Sequence, residues 1–421
     1  MWTWVRIRQA ISAVSRKQLV VGIGIATARA CGFASGAVVA RALGPNEFGP
    51  YTIAFTIFSS LLQLTTFADT WLVSQWGDAT GRERAKAAVW KIKFWAGVIL
   101  LALAVGAPFA FEAWSDKLHI PAGLYLLAVG AAVTGALTTA GATTYQAEGN
   151  FAAYSVIVAL GPFVSVIVSL ILWRSHVVSP IGYVWVLLLS YLPTAVLAYR
   201  RLNVDPVPHH LQDDILRALR FGGWVTVGSV AYVLFQRIDV FLLASMAPPA
   251  DVGMYGAATR LAAVGSFFGS TITAVLMPSG SLASTWQDAT KRHDYTIESI
   301  VSITAMGVAL GLAILATGPI VRGLFGAAYQ VAVPKAEVLI LSQIVVIVQM
   351  PFYFALYALK GERWIAALGL TQLVVSVGSC YVLIGRLGPI GAAWSNVLTY
   401  AVGLLVVTTF HWKRRRHSWT V

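Results

Sequence analysis

Ala40-Arg41-Ala42-Leu43-Gly44-Pro45-Asn46-Glu47-Phe48-Gly49-Pro50-Tyr51 is a short polar elbow set between two long apolar runs. The pattern returns in the second half of the chain. Met246-Ala247-Pro248-Pro249-Ala250-Asp251-Val252-Gly253-Met254-Tyr255 repeats the prolines, an acid, then a branched or aromatic residue, Gly, any residue and Tyr, again between apolar runs. Tyr51 and Tyr255 stand 204 positions apart, and two more echoes keep nearly that spacing. Tyr145, Glu148 and Gly149 answer Tyr357, Lys360 and Gly361 at 212 positions, and Pro180-Ile181-Gly182 with Trp185 answers Pro389-Ile390-Gly391 with Trp394 at 209. Three matches at one period and in one order describe a duplicated chain of two like-handed halves. The first, 1–207, is an N-lobe of an interfacial N-terminal segment and helices 1–6; the second, 208–421, is a C-lobe of helices 7–12 and a basic tail.

Composition sets the solvent. Hydrophobic residues make up 58% and charged residues 11% of the chain, with a mean hydropathy of +0.74; soluble domains carry about a quarter charged. Apolar runs of roughly 20 residues cross the ~30 Å hydrocarbon layer as helices, because backbone groups find no water there. Twelve spans are expected: 18–42, 49–74, 90–112, 122–146, 151–173, 178–199, 219–246, 253–278, 297–320, 334–358, 364–385 and 388–411. The fold class is therefore an all-α integral membrane protein of twelve transmembrane helices in two six-helix lobes, and duplicated lobes are a recurring architecture of secondary transporters.

An even number of spans puts both termini on one side. That side holds 21 lysines and arginines, among them Arg6, Arg8, Lys91, Lys93 and the tail Lys413-Arg414-Arg415-Arg416; the other holds six. The positive-inside bias places both termini in the cytoplasm, and it accounts for the net charge of +13 without nucleic-acid binding. Trp2-Thr3-Trp4-Val5-Arg6-Ile7-Arg8 reads as an interfacial anchor. A cleaved signal is disfavoured because the apolar run after Arg16-Lys17 continues to Val39. Asp205-Pro206-Val207-Pro208-His209-His210 reads as the linker between halves.

Enzyme signatures are lacking: there is no phosphate-binding glycine loop, no Gly-x-Ser-x-Gly elbow and no paired Cys/His spacing. Cys31 and Cys380 fall in opposite halves as packing residues. All seven histidines are assigned to loops or tails. Gly22-x-Gly24, Gly32-x-x-x-Gly36 and Gly265-x-x-x-Gly269 read as helix-packing sites.

Charge at depth is the informative feature, since an ionisable group inside a span costs several kcal/mol unless it faces protein or water. Arg29 lies about 18 Å along its helix from both Lys17 and Arg41, near the midplane. Arg237 and Arg260 lie about 13 and 10 Å inside the outer ends of their spans and share a depth in the second half. Asp239 is about 160° around the helix from Arg237, so the two cannot point into one cavity. Either Asp239 pairs with Arg260, or Tyr232, Gln236 and Asp239 form a polar stripe that walls a cavity. Asp69, about 30 Å from the outer end of its span, reads as interfacial.

Ala40-Arg41-x-Leu43-Gly44-Pro45-x-x-Phe48-Gly49-x-Tyr51 resembles the opening signature of the polysaccharide flippases, the O-antigen and exopolysaccharide transporters of the multidrug/oligosaccharidyl-lipid/polysaccharide (MOP) exporter superfamily. Arg237-Ile238-Asp239, Val252-Gly253-x-Tyr255, Ala258, Arg260-Leu261 and Pro278 resemble the second-lobe signature. The resemblance implies a V-shaped transporter of the bacterial cytoplasmic membrane. Its implied cargo is an undecaprenyl-diphosphate-linked oligosaccharide moved to the outer face by alternating access for lipopolysaccharide or exopolysaccharide synthesis, beside other polysaccharide-assembly membrane proteins. No cofactor or metal is expected; coupling to protons or sodium is left open. Arg29, Arg237 and Arg260, with Asp239, Gln236 and Tyr232, are the expected substrate-binding residues, the arginines suiting a diphosphate or acidic sugars. A cation-coupled drug exporter of the same superfamily is the alternative, and a membrane glycan polymerase or glycosyltransferase is disfavoured for want of a large extramembrane loop. Most of the fifteen tryptophans and fifteen tyrosines stand near span ends as interface belts, and a few are open to stacking on sugar rings.

Overall fold

A computed structural model describes residues 16–65, 69, 79–110, 120–202, 211–358 and 362–416. The N-terminal aromatic-basic segment, the linker 205–210 and Lys360-Gly361 lie outside them. The described residues are helical with no strand: α1 (Arg16–Leu64), α2 (Ala79–Ala110), α3 (Ala122–Ala147), α4 (Phe151–Arg174), α5 (Pro180–Leu202), α6 (Leu211–Met246), α7 (Pro249–Ala262), α8 (Gly265–Gly280), α9 (Ala283–Gln287), α10 (Ala289–Leu315), α11 (Thr317–Leu324), a 3₁₀ turn (Ala327–Ala332), α12 (Val333–Ala358), α13 (Glu362–Leu387) and α14 (Pro389–Arg416).

The elbow works as read. As one rod, the 49 residues of α1 would run ~74 Å, more than twice the hydrocarbon thickness. Gly44 breaks it, with φ 67° and ψ 171°, a left-handed conformation open to glycine, and Pro45 restarts the helix with its fixed φ. The first two expected spans are thus the two arms of α1. Span eight is α7 plus α8, interrupted at Ala263 and Val264, and span nine is α10 plus α11, interrupted at Ala316. Pro180 and Pro389, the third echo, each open a helix at the same point of their half.

Eight stretches are long and apolar enough to cross a membrane by length and composition, α1 counted once. The spans outside that count are α2, which contains Lys93; α6, which contains Arg237 and Asp239; and the interrupted α7–α8. The chain is a multi-pass membrane protein.

The helices gather into two compact units. Unit 1 comprises Met1–Ala42, Ile57–Glu112 and Pro121–Phe221; Leu43–Thr56, although part of the first half of the sequence, belongs to unit 2 with everything from Gly222 onward. In unit 1, α1 meets α4 through Ser35 Oγ, 2.9 Å from Ser165 Oγ and 3.2 Å from Ser169 Oγ. α3 packs on α5 where Thr138 and Thr194 hydroxyls lie 2.9 Å apart and Gly141 receives Ala198. In unit 2 the corresponding pairs recur. α6 meets α13 with Gly228 and Gly369 in backbone contact, and α12 packs on α14. First-to-fifth and fourth-to-sixth pairing in both halves is duplication at the level of packing. Small residues permit these approaches, which supply the dispersion contacts that hold helices together where lipid gives no hydrophobic drive. Gly24, Gly265 and Gly269 contact neighbouring helices as expected; Gly22 and Gly32 do not, and face open space.

Within unit 2 the two copies of the elbow touch each other. A methyl group on Gly49 would overlap the carbonyl oxygen of Pro249, and one on Gly253 would overlap that of Pro45. Each repeat's glycine is seated on the other repeat's proline. Gly256 is filled in the same way by the side chain of Thr52.

Candidate functional site

Asp239 is anchored rather than free. It is 4% exposed, and its Oδ2 accepts from the Tyr255 hydroxyl at 2.5 Å and from Asn396 Nδ2 at 2.8 Å, while its Oδ1 accepts from the Val240 amide at 2.8 Å. The expected pairing with Arg260 is therefore corrected. Arg260 follows Tyr255 by five residues, about 140° around the helix, so α7 cannot present both to one carboxylate. Nor does the stripe Tyr232, Gln236, Asp239 share one environment. Tyr232 is 42% exposed, Gln236 is half-buried, and Asp239 is enclosed between α7 and α14.

Arg260 turns toward the elbow. Its guanidinium carbon lies 4.4 Å from the ring centre of Phe55 and 5.5 Å from those of Phe48 and Tyr51. Facing rings offer a buried cation partial compensation; even so, one Nη2 is buried with no hydrogen-bond partner. Arg237 is half-buried on α6, its Nε likewise without a partner. It lies within electrostatic reach of Asp239, Tyr400, Tyr232 and Arg260. The ion pairs among the described residues, Lys86–Glu148 and Lys93–Asp69, include neither arginine. Two guanidiniums thus occupy one region of unit 2, and its carboxylate is already engaged by neutral donors. A membrane-embedded excess of positive charge with open N–H groups is suited to receive an anion.

Arg29 is exposed on the first arm of α1 and belongs to unit 1, whereas the other expected site residues belong to unit 2.

Two sequence assignments need correction, and a buried ion pair is added. Lys93, counted among the cytoplasmic-side cations, is 1% exposed inside α2; its Nζ donates to Asp69 Oδ2 at 2.7 Å, Thr139 Oγ1 at 2.7 Å and the Ala136 carbonyl at 3.0 Å, and lies 2.6 Å from Asp69 Oδ1 as an ion pair. Asp69, read as interfacial, is the ion-pair partner of Lys93 within unit 1. Its depth along the helix was readable; its partner, on another helix, was not. Without Lys93 the charge asymmetry keeps its sign. His411, assigned to the tail, is 9% exposed within α14, its ring packed on Trp286, Phe352 and Phe410.

The architecture defines a class. An inward-facing multidrug resistance MATE transporter of the MOP superfamily superposes with a TM-score of 0.73 at 14% identity, over 93% of this chain and 96% of that one. The lipid II flippase MurJ in an inward closed conformation gives 0.71 at 14% identity, over 94% and 88%. An outward-facing MATE transporter gives 0.63 at 14% identity, over 97% and 99%. The fold is that of a twelve-helix MOP-type transporter. The sequence profile of the polysaccharide biosynthesis protein family matches residues 38–334. The chain belongs to that family, and that stretch runs from the first elbow through the second and includes Arg237, Asp239 and Arg260. No curated protein matches the sequence significantly.

Proposed function

We propose that this protein is a flippase. It moves a polyprenyl-diphosphate-linked oligosaccharide across the bacterial cytoplasmic membrane by alternating access, with both termini in the cytoplasm, and supplies surface polysaccharide synthesis without catalysing a reaction. The observation that carries this reading is the pair of guanidiniums in unit 2, each with a buried N–H group lacking a partner, beside a carboxylate that Tyr255 and Asn396 have taken. A diphosphate crossing ~30 Å of hydrocarbon needs such donors, and charge-assisted hydrogen bonds are the strong kind. Membership of a polysaccharide biosynthesis family supports a glycan cargo. Arg29 is a further candidate cation in unit 1.

The test is transbilayer movement of a fluorescent polyprenyl-diphosphate sugar in liposomes containing the purified chain. Wild type accelerates it, and Arg237→Gln lowers the rate by tenfold or more, roughly the loss of one charge-assisted contact. Asp239, a carboxylate deep in a membrane helix, favours the second reading, a cation-coupled exporter of drugs or metabolites. Transport of an organic cation with no movement of the diphosphate lipid would establish that reading and reject the flippase.

A further inference from the structure

Four tyrosines of unit 2 form a ladder that the anion site does not explain. Tyr357 stands one residue from the end of α12, Tyr353 one turn deeper, Tyr232 near the middle of α6, and Tyr400 near the middle of α14. The Tyr353 and Tyr357 rings meet edge to face at 5.4 Å with their hydroxyls 3.0 Å apart. The Tyr353 hydroxyl is also within electrostatic reach of Tyr232. Phe235 wedges the inner pair, 5.1 Å from the Tyr232 ring and 5.6 Å from the Tyr400 ring. Gln236 and Arg237, the latter with its unpartnered Nε, lie within electrostatic reach of the Tyr400 hydroxyl, and Arg237 within that of Tyr232.

An interface belt does not account for this arrangement. Belt tyrosines sit at span ends with the hydroxyl in water, and Tyr357 fits that description. Tyr232 does not: it is 42% exposed yet fourteen residues, about 21 Å of helix, from the end of α6 at Met246. A phenol exposed at that depth to hydrocarbon would waste its hydroxyl. Exposed rings with amide and hydroxyl groups between them are what a pyranose needs, with an apolar C–H face to stack on a ring and a hydroxyl rim to hydrogen-bond.

We propose that Tyr357, Tyr353 and Tyr232 are a glycan-binding track that holds successive neutral sugar rings, with Gln236 bonding their hydroxyls and Arg237 at the inner end taking the anionic linkage. The track rests on the flippase reading for its biological cargo, but its sugar recognition is separable from lipid movement.

The test uses the full chain in detergent and a panel of unlipidated neutral pentasaccharides of glucose, galactose, mannose or N-acetylglucosamine, read by saturation-transfer NMR. Wild type binds at least one of them. Tyr232→Ala and Tyr357→Ala weaken that binding about tenfold, some 1.4 kcal/mol, while Tyr232→Phe and Tyr357→Phe, which keep the ring, stay within about threefold. Tyr357, at an exposed helix end, serves as the variant least prone to misfold. Binding by both alanine variants equal to wild type, or no binding of any pentasaccharide by a protein that still moves the diphosphate lipid, overturns the track. Sugar binding lost in the alanine variants of a protein that moves no lipid sustains the track and rejects the flippase.

Discussion

Asp239 and Arg237, two residues apart, make opposite predictions about stability and transport. Asp239→Ala strands the Tyr255 hydroxyl in the core of unit 2 and takes from the Asn396 amide its shortest bond, leaving it the Tyr255 hydroxyl and the Ala392 carbonyl. An orphaned buried donor costs about 1–3 kcal/mol, so the thermal unfolding temperature in detergent should fall. Asp239→Asn, which keeps one acceptor, should fall less. Arg237→Gln removes a cation that no carboxylate among the described residues pairs within ion-pair distance; its stability should stay within about 1 kcal/mol of wild type, because a largely buried charge is lost, while transport drops. Equal destabilisation by Asp239→Asn and Arg237→Gln would refute this division of roles. In unit 1, Lys93→Met leaves Asp69 without its cation and should cost about 3–5 kcal/mol, with Lys93→Met/Asp69→Leu recovering most of it. A double-mutant cycle on thermal stability measures that recovery.

Among the elements, the elbow is where sequence and structure agree most closely. Gly44 followed by Pro45 states a helix break in residue chemistry alone, and Pro180 and Pro389 state helix starts in the same way. These are local signals, set by one residue's allowed φ and one missing N–H. The site was legible only in part, for a matching reason. Depth along a helix follows from counting residues, so a shared depth of Arg237 and Arg260 is legible in the sequence; direction around the helix follows from what packs against it. Asn396, the partner of Asp239, lies 157 residues further on, and Lys93 finds Thr139 46 residues away. No window of sequence holds those pairs. The interruption in span eight escaped for another reason, since Ala263 and Val264 carry no helix-breaking chemistry of their own, whereas that at Ala316 just precedes Gly318-Pro319. At the element scale, Gly49→Ala and Gly253→Ala should each lower the unfolding temperature, because the added methyl meets a backbone carbonyl that cannot move aside as a side chain would. Gly32→Ala, facing open space, is the matched control and should be neutral or slightly stabilising. Equal melting of all three variants would mean that the elbow contact adds nothing.

The whole molecule has a duplicated fold, and the contact between its elbows bears on how it arose. Gly49 sits on Pro249 and Gly253 on Pro45, which is the reciprocal arrangement two identical subunits make across a dyad. A half-length ancestor bearing one elbow would have carried a self-complementary surface and paired as a homodimer. Tandem fusion of its gene then replaces a concentration-dependent encounter with a tethered one. Residues 1–207 and 208–421 synthesised as separate polypeptides should accordingly still find each other, and Gly49→Val in the first should keep them apart on co-purification. What is now a bend in a single polypeptide would be the relic of a subunit interface.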